Sequence, residues 1–269
     1  MDTIGIICGN NTTSKTLRYI LGVGVGLNRD LNKRTDLDDT SRKYEWMTEY
    51  AKAIDFAKSH PEEMMKGDAC DANKYNIYFA SFSDSLIYIV SLLTSVPWEC
   101  FDNDKKHKYI ININTYDYRE RTPEDIVVSP EYIFNDRWRD AQYRAVHNKH
   151  TEISNEWMTL NDFVVYFGFY ICRNFLGKNI WTKVEATSNK RFPPEPNSIR
   201  IYDDIRSIGE YEYIRSCEGK VIRVETKDNN KCSAIYDTSL NNVDVDLSVN
   251  GNDIYNLELM YDFIKGNFS

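Results

Sequence analysis

The stretch that most constrains this chain is Ile4 to Thr16, I-G-I-I-C-G-N-N-T-T-S-K-T. An apolar run ends at Gly9. The polar residues Asn10, Asn11, Thr12 and Thr13 follow, and Ser14, Lys15 and Thr16 close the stretch. Ile4, Ile6 and Ile7 predict a buried parallel strand, and T-L-R-Y-I-L continues as a helix. The phosphate-binding loop has the form G-x-x-x-x-G-K-[ST] in this strand–loop–helix context, and Ser14 stands where its second glycine belongs. In such a loop the backbone N–H groups wrap phosphate oxygens, and the helix aims its positive end at them. Lys15 would reach the terminal phosphates and Thr16 would hold Mg²⁺. A left-handed backbone at Ser14 would cost roughly 1 kcal/mol for its Cβ. On that account Ser14→Gly should tighten nucleotide binding. The competing reading is a polar turn with a chance lysine.

At 269 residues the chain has room for one large domain or two small ones. Apolar residues make up 42% and aromatic residues 13%, enough for a sizeable core. The net charge of −8 argues against nonspecific nucleic-acid binding, which needs excess Lys and Arg. It leaves room for a phosphorylated small molecule held by a few arginines and a metal. The six cysteines are scattered, without a C-x-x-C pair, and are expected to be reduced and intracellular. No signal peptide is expected, and no apolar run nears the roughly 20 residues of a membrane helix.

Along the chain, Gly22 to Gly26 (G-V-G-V-G) imitates a dinucleotide fingerprint but follows a helix, so a flexible connection is expected. Asp30 to Arg42 predicts a loop, Tyr44 to Ser59 a helix, and Glu62 to Lys74 irregular structure. Tyr75 to Ala80 predicts a strand and Ser83 to Ser95 a helix with Asp84 near its start. Tyr109 to Tyr116 predicts an exposed strand, and Tyr132 to His150 a helix rich in arginine. His147, His150 and nearby Glu152 could imitate a metal site, but without a third ligand at a known spacing a solvated helix end is the preferred reading. The strongest periodicity runs from Trp157 to Trp181. Thr159 and Asp162 cap its helix, Gly177 ends it, and Arg173 stands on an otherwise apolar surface. Phe192 to Pro196 predicts a rigid linker, and Ile199 to Tyr202 a strand followed by D-D-I-R-S-I-G-E. A carboxylate and an arginine past a strand's carboxyl end are placed where open α/β sheets build their sites. Strands Val221 to Val224 and Val243 to Val249, with helices Tyr211 to Cys217 and Ile254 to Ile264, complete a parallel α/β pattern.

Four stretches together resemble the deoxynucleoside monophosphate kinases of tailed bacteriophages. They are the phosphate loop; F-S-D-S-L (82 to 86) with the helix after it; M-T-L-N-D-F-V-V-Y-F-G through R-N-F-L-G-K-N-I-W; and D-I-R-S-I-G-E with E-G-K-V-I-R-V. Val243 to Asn250 is similar to the family's last strand. The resemblance covers about half the chain and leaves 17–78 and 102–156 unmatched. It implies a P-loop NTPase-like parallel sheet flanked by helices, one domain over 1–269, with about 30–78 and 102–156 inserted as substrate-binding or lid segments. It implies transfer of the ATP γ-phosphate to a deoxynucleoside monophosphate, with ATP and Mg²⁺ held by Gly9 to Thr16. Asp84, Arg173 and Glu210 would bind the acceptor. Lys15, Arg173, Asp204 and Arg206 would serve catalysis, and Thr16 and Asp204 the metal. It also implies a cytoplasmic protein, in the host cytoplasm if virus-encoded, with neither nucleic acid nor membrane as partner and a homodimer among the expected states.

The departures from the family are specific. Ser14 replaces the loop glycine, and Ser85 and Ile87 replace a proline and a lysine. Asn161 replaces an arginine, and Gly209 an asparagine. Two lost cations favour the rival reading, a catalytically impaired relative acting as a nucleotide-binding or assembly protein. Arg119, Arg121, Arg137, Arg139 and Arg144 are candidates to replace them.

Overall fold

A computed structural model describes residues 2–8, 11–66, 76–101, 105–130, 133, 157–191, 195–203, 205–225, 238–251 and 253–268. The chain begins with strand β1 (Asp2–Cys8) and helices α1 (Asn11–Asn32), α2 (Asp39–Ser59) and α3 (Pro61–Lys66). Strand β2 (Ile77–Ala80), helix α4 (Asp84–Thr94) and strands β3 (Tyr109–Asn112), β4 (Tyr118–Glu120) and β5 (Trp157–Thr159) follow. Helix α5 (Leu160–Val165) widens into a π-helix, Tyr166–Arg173, before α6 (Ile180–Arg191). The chain closes with β6 (Ile199–Tyr202), α7 (Ile208–Ser216), β7 (Lys220–Glu225), β8 (Leu247–Asn250) and α8 (Leu257–Asn267).

Two compact units result: Met1–Phe82 with Glu185–Ser269, and Ser83–Val184. The first is built on a five-stranded sheet in the order β2-β6-β1-β7-β8, parallel throughout. Strand β1 is central, with Ile4 opposite Ile201 on one side and Ile6 opposite Ile222 on the other. Alternation along β1 explains its apolar sequence. Ile4 and Ile6 enter the core under α1, α2 and α8, whereas Ile7 enters the one under α7. Helices therefore cover both faces, as the sequence predicts.

Several local expectations are corrected. Helix α1 runs straight through Gly22 to Gly26, which is not a flexible connection. A Cβ at Gly24 would lie 2.6 Å from Ile264, 2.8 Å from Tyr50 and 3.1 Å from Trp46. The glycine lets α2 and α8 approach α1, and the Trp46 indole N–H donates to the Gly24 carbonyl at 2.9 Å. Burial of those rings outweighs the roughly 1 kcal/mol helix penalty of a glycine. Within the expected insertion at 30–78, Trp46, Tyr50, Ile54 and Ala57 of α2 belong to the main core of the first unit. Asp30 to Arg42 contributes a loop only between Asn32 and Asp39, and Pro61–Lys66 is helical.

The second unit holds an antiparallel sheet, β4-β3-β5. Strand β3 is not exposed. Ile110 and Ile111 are both fully buried, and the strand is paired on both edges, with β4 and β5. The Thr159 hydroxyl accepts from the Asp162 N–H at 3.0 Å and starts α5, the cap the sequence predicts. The strand β5 occupies Trp157–Thr159, so the helix begins after the cap. Gly177 has φ +107°, a conformation that favours glycine. Among the described residues no helix is long and apolar enough to cross a membrane. The arginine-rich stretch at 134–150, the histidine pair and most of the Pro-rich linker lie outside the described residues.

Candidate functional site at the carboxyl edge of the parallel sheet

The chain leaves β1 towards β2 and β6, then crosses to β7 and β8, so the order reverses around β1. Helix α1 follows β1 onto one face and α7 follows β6 onto the other. In open parallel sheets, diverging connections of this kind leave a crevice outside the strand carboxyl ends, where ligands bind. The residues there come from the starts of α1 and of the β6–α7 connection.

The expected eight-residue loop is corrected. Helix α1 begins at Asn11, so Asn11 to Thr16 form its first turns, and Gly9 and Asn10 separate it from β1. Gly9 and Asn10 themselves lie outside the described residues. Ser14 is helical rather than left-handed, which removes the reason for a glycine there. It is only 2% exposed, and its hydroxyl donates to the Asp203 carbonyl. Thr13 and Lys15 are half-buried, and Thr16 is buried. The first-turn N–H groups of a helix have no intrahelical acceptor and carry its positive partial charge. A 22-residue helix thus starts at the carboxyl edge of the sheet, with Lys15 in its first turns.

Two residues that sequence reasoning missed complete this edge. Arg18 places Nη1 2.6 Å from the Asp203 carboxylate, with side-chain exposures of 9% and 5%. Its guanidinium carbon also lies 4.5 Å from the centre of the Phe79 ring. One signal was available: Ser14 and Arg18 stand four apart on α1 and so share a face. The doublet Asp203–Asp204 concealed which carboxylate would be paired. Asp204 is outside the described residues.

Beyond Asp203, the Ile205 N–H donates to the Ile6 carbonyl at 3.1 Å, which extends the pairing with β1. Arg206 is half-buried, and its N–H donates to Glu210 at 2.7 Å. Glu210 also accepts from the Ser207 N–H at 3.0 Å, and the Ser207 hydroxyl accepts from the Glu210 N–H. This capping box starts α7 and engages the Glu210 carboxylate. The expected substrate ligand thereby holds the backbone that carries Arg206. On the same strand, Tyr202 stacks on Phe82 with ring centres 4.7 Å apart and donates to Glu185 at 2.7 Å. Burial, and then the Glu185 charge, push its hydroxyl well above the ordinary tyrosine range.

Asp84 and Arg173 belong to the second unit. Asp84 is the first residue of α4. Arg173 ends the π-helix with its guanidinium 5.5 Å from the Phe169 ring centre. Arg119, one of the candidate replacement cations, pairs with Asp125 in that unit. Among the described residues no group of three His, Cys, Asp or Glu side chains is placed to hold a metal ion. The chemistry of Thr16 and Asp204, one hydroxyl and one carboxylate, does suit Mg²⁺, which keeps several waters and takes further oxygens from phosphates. The chain matches no protein-family model, no curated protein and no solved structure.

Proposed function

We propose that this protein is an ATP-dependent deoxynucleoside monophosphate kinase on a P-loop-like sheet. The observation that carries the reading is Lys15 in the first turns of α1, directly after the central strand and at the point where strand order reverses. Phosphoryl transfer is mostly positioning and charge neutralisation, so a lysine, a helix start and nearby arginines are the groups it needs. Lys15 and the amides of the α1 start hold the donor phosphates. Arg206 adds positive charge from the β6–α7 connection. The family resemblance assigns acceptor binding to Asp84 and phosphate binding to Arg173. The bond from the γ-phosphorus to ADP breaks as the acceptor phosphate oxygen bonds to that phosphorus. Thr16 and Asp204 would hold Mg²⁺, which supplies neutralising charge when bound. The resemblance to phage enzymes extends the proposal to a host-cytoplasmic setting, with ATP and a deoxynucleoside monophosphate as partners.

One observation favours the rival, a nucleotide-binding or assembly protein without transfer activity. Helix α1 already begins at Asn11, and Ser14 is tied to Asp203, so the wrapped loop of an active enzyme is shortened. A coupled ADP-release assay with each of the four deoxynucleoside monophosphates separates the two. Acceptor-dependent ADP release supports the kinase. Calorimetric ATP binding without it supports the rival, and the absence of both removes the nucleotide site.

A further inference from the structure

We infer that Asp203 is a positioning residue for Lys15, acting through Ser14 and Arg18. The inference rests on the proposed phosphate site. Asp203 grips one turn of α1 at both ends: its carbonyl accepts from Ser14 and its carboxylate binds Arg18. Lys15 lies within that turn. Two residues on, Ile205 is bonded to Ile6 of β1, and the N–H of Arg206 is held by Glu210. Asp203 therefore sets the spacing between the two candidate phosphate cations of this unit, Lys15 and Arg206. The polar choice argues for a register function. A buried ion pair is seldom the most stabilising filling of a core, and its best-attested use is to fix one arrangement among several. The buried Nε of Arg18 has no hydrogen-bond partner among the described residues, so the pair is not optimised for stability alone. Ser14 is then a working part of the edge rather than a damaged glycine, and Ser14→Gly should weaken phosphate binding, the reverse of the sequence expectation.

The test uses the full chain, ATP calorimetry, and hydrogen exchange of amides 205–211 in the ligand-free protein. Ser14→Ala should lower ATP affinity about fivefold and speed that exchange by a similar factor, the scale of one lost hydrogen bond. Ser14→Thr, which restores a hydroxyl, should recover both. The double variant Arg18→Met with Asp203→Asn keeps the Ser14 bond, removes the ion pair, and should also weaken ATP binding; it serves if Ser14→Ala does not fold. Faster exchange with unchanged ATP affinity would make the tether merely structural and overturn the inference. Unchanged exchange would overturn it too, while ATP binding by the wild-type protein left the nucleotide site standing. Absence of ATP binding by the wild-type protein would remove the phosphate site and this inference with it.

Discussion

Arg18 and Asp203 form a buried ion pair, 2.6 Å from nitrogen to oxygen, one helical turn beyond Lys15. Removing one partner leaves an uncompensated charge in a site with almost no water. Arg18→Met should therefore destabilise the protein by about 3–5 kcal/mol. Adding Asp203→Asn should recover much of that loss, because the stranded charge is gone. Urea unfolding of both variants measures the difference, and a double variant no more stable than the single one would refute this account.

The proposed phosphate site makes Lys15 its ligand for the donor phosphates. It is half-buried on the first turns of α1, where the proposed phosphates bind. Lys15→Ala should weaken ATP binding at least tenfold, about 1.4 kcal/mol, while the melting temperature changes little. Calorimetry showing wild-type affinity in the variant would remove Lys15 from the site.

Gly24 tests the course of α1. A Cβ there meets Ile264, Tyr50 and Trp46 at 3.1 Å or less. Gly24→Ala gains helix propensity but overpacks three large side chains. The net effect should be destabilisation by about 1–3 kcal/mol. A more stable variant in thermal unfolding would mean that the three neighbours can yield.

Tyr50 gives the opposite sign. Its ring stacks on Trp46 at 4.3 Å, and its fully buried hydroxyl has no hydrogen-bond partner among the described residues. Burial pushes that hydroxyl far above its ordinary pKa. Tyr50→Phe removes an unsatisfied polar group at almost constant volume, so it should stabilise by about 1 kcal/mol. Loss of stability on urea unfolding would show that the hydroxyl is satisfied after all.

Asp246 should make stability depend on acid pH. Burial pushes its carboxyl up, but the Val221 N–H at 2.8 Å and the Arg215 guanidinium at 2.6 Å outweigh that and hold it below the usual aspartate range. A folded value below the unfolded one means stabilisation that is complete above about pH 5. It declines below the ordinary value of about 3.9 and is gone once pH falls below the folded value. Asp246→Asn should cost about 1–2 kcal/mol at pH 7 and flatten the acid limb of a stability–pH curve. An unchanged acid limb would assign the dependence to other carboxylates.

Some of this protein was written locally. The strand under Ile4 to Ile7, the strand Ile199 to Tyr202 and the cap between Thr159 and Asp162 were legible because each depends on side-chain alternation or on atoms three residues apart. The alternation of strands with helices gave the parallel sheet for the same reason. Lys15 was legible as a candidate because it stands at the lysine position of a strand–loop–helix phosphate motif.

What required the tertiary structure were the contacts between residues far apart in the chain. The glycines of α1 read as breaks until Trp46, Tyr50 and Ile264 appeared against Gly24. Residues 30–78 were expected as an insertion because the resemblance left them unmatched, and the apolar stripe at 44–59 says what is buried and not against what. The division at 82–83 and 184–185 left no mark in composition. Ser14 looked like a lesion because a motif specifies residue types, whereas its hydroxyl is satisfied by a carbonyl 189 positions later. The pairing of Arg18 with Asp203 rather than with any other carboxylate was decided when β6 was laid beside β1, bringing its carboxyl end to the start of α1. Periodicity fixes which side chains turn inward; the sheet order alone selects which of them meet.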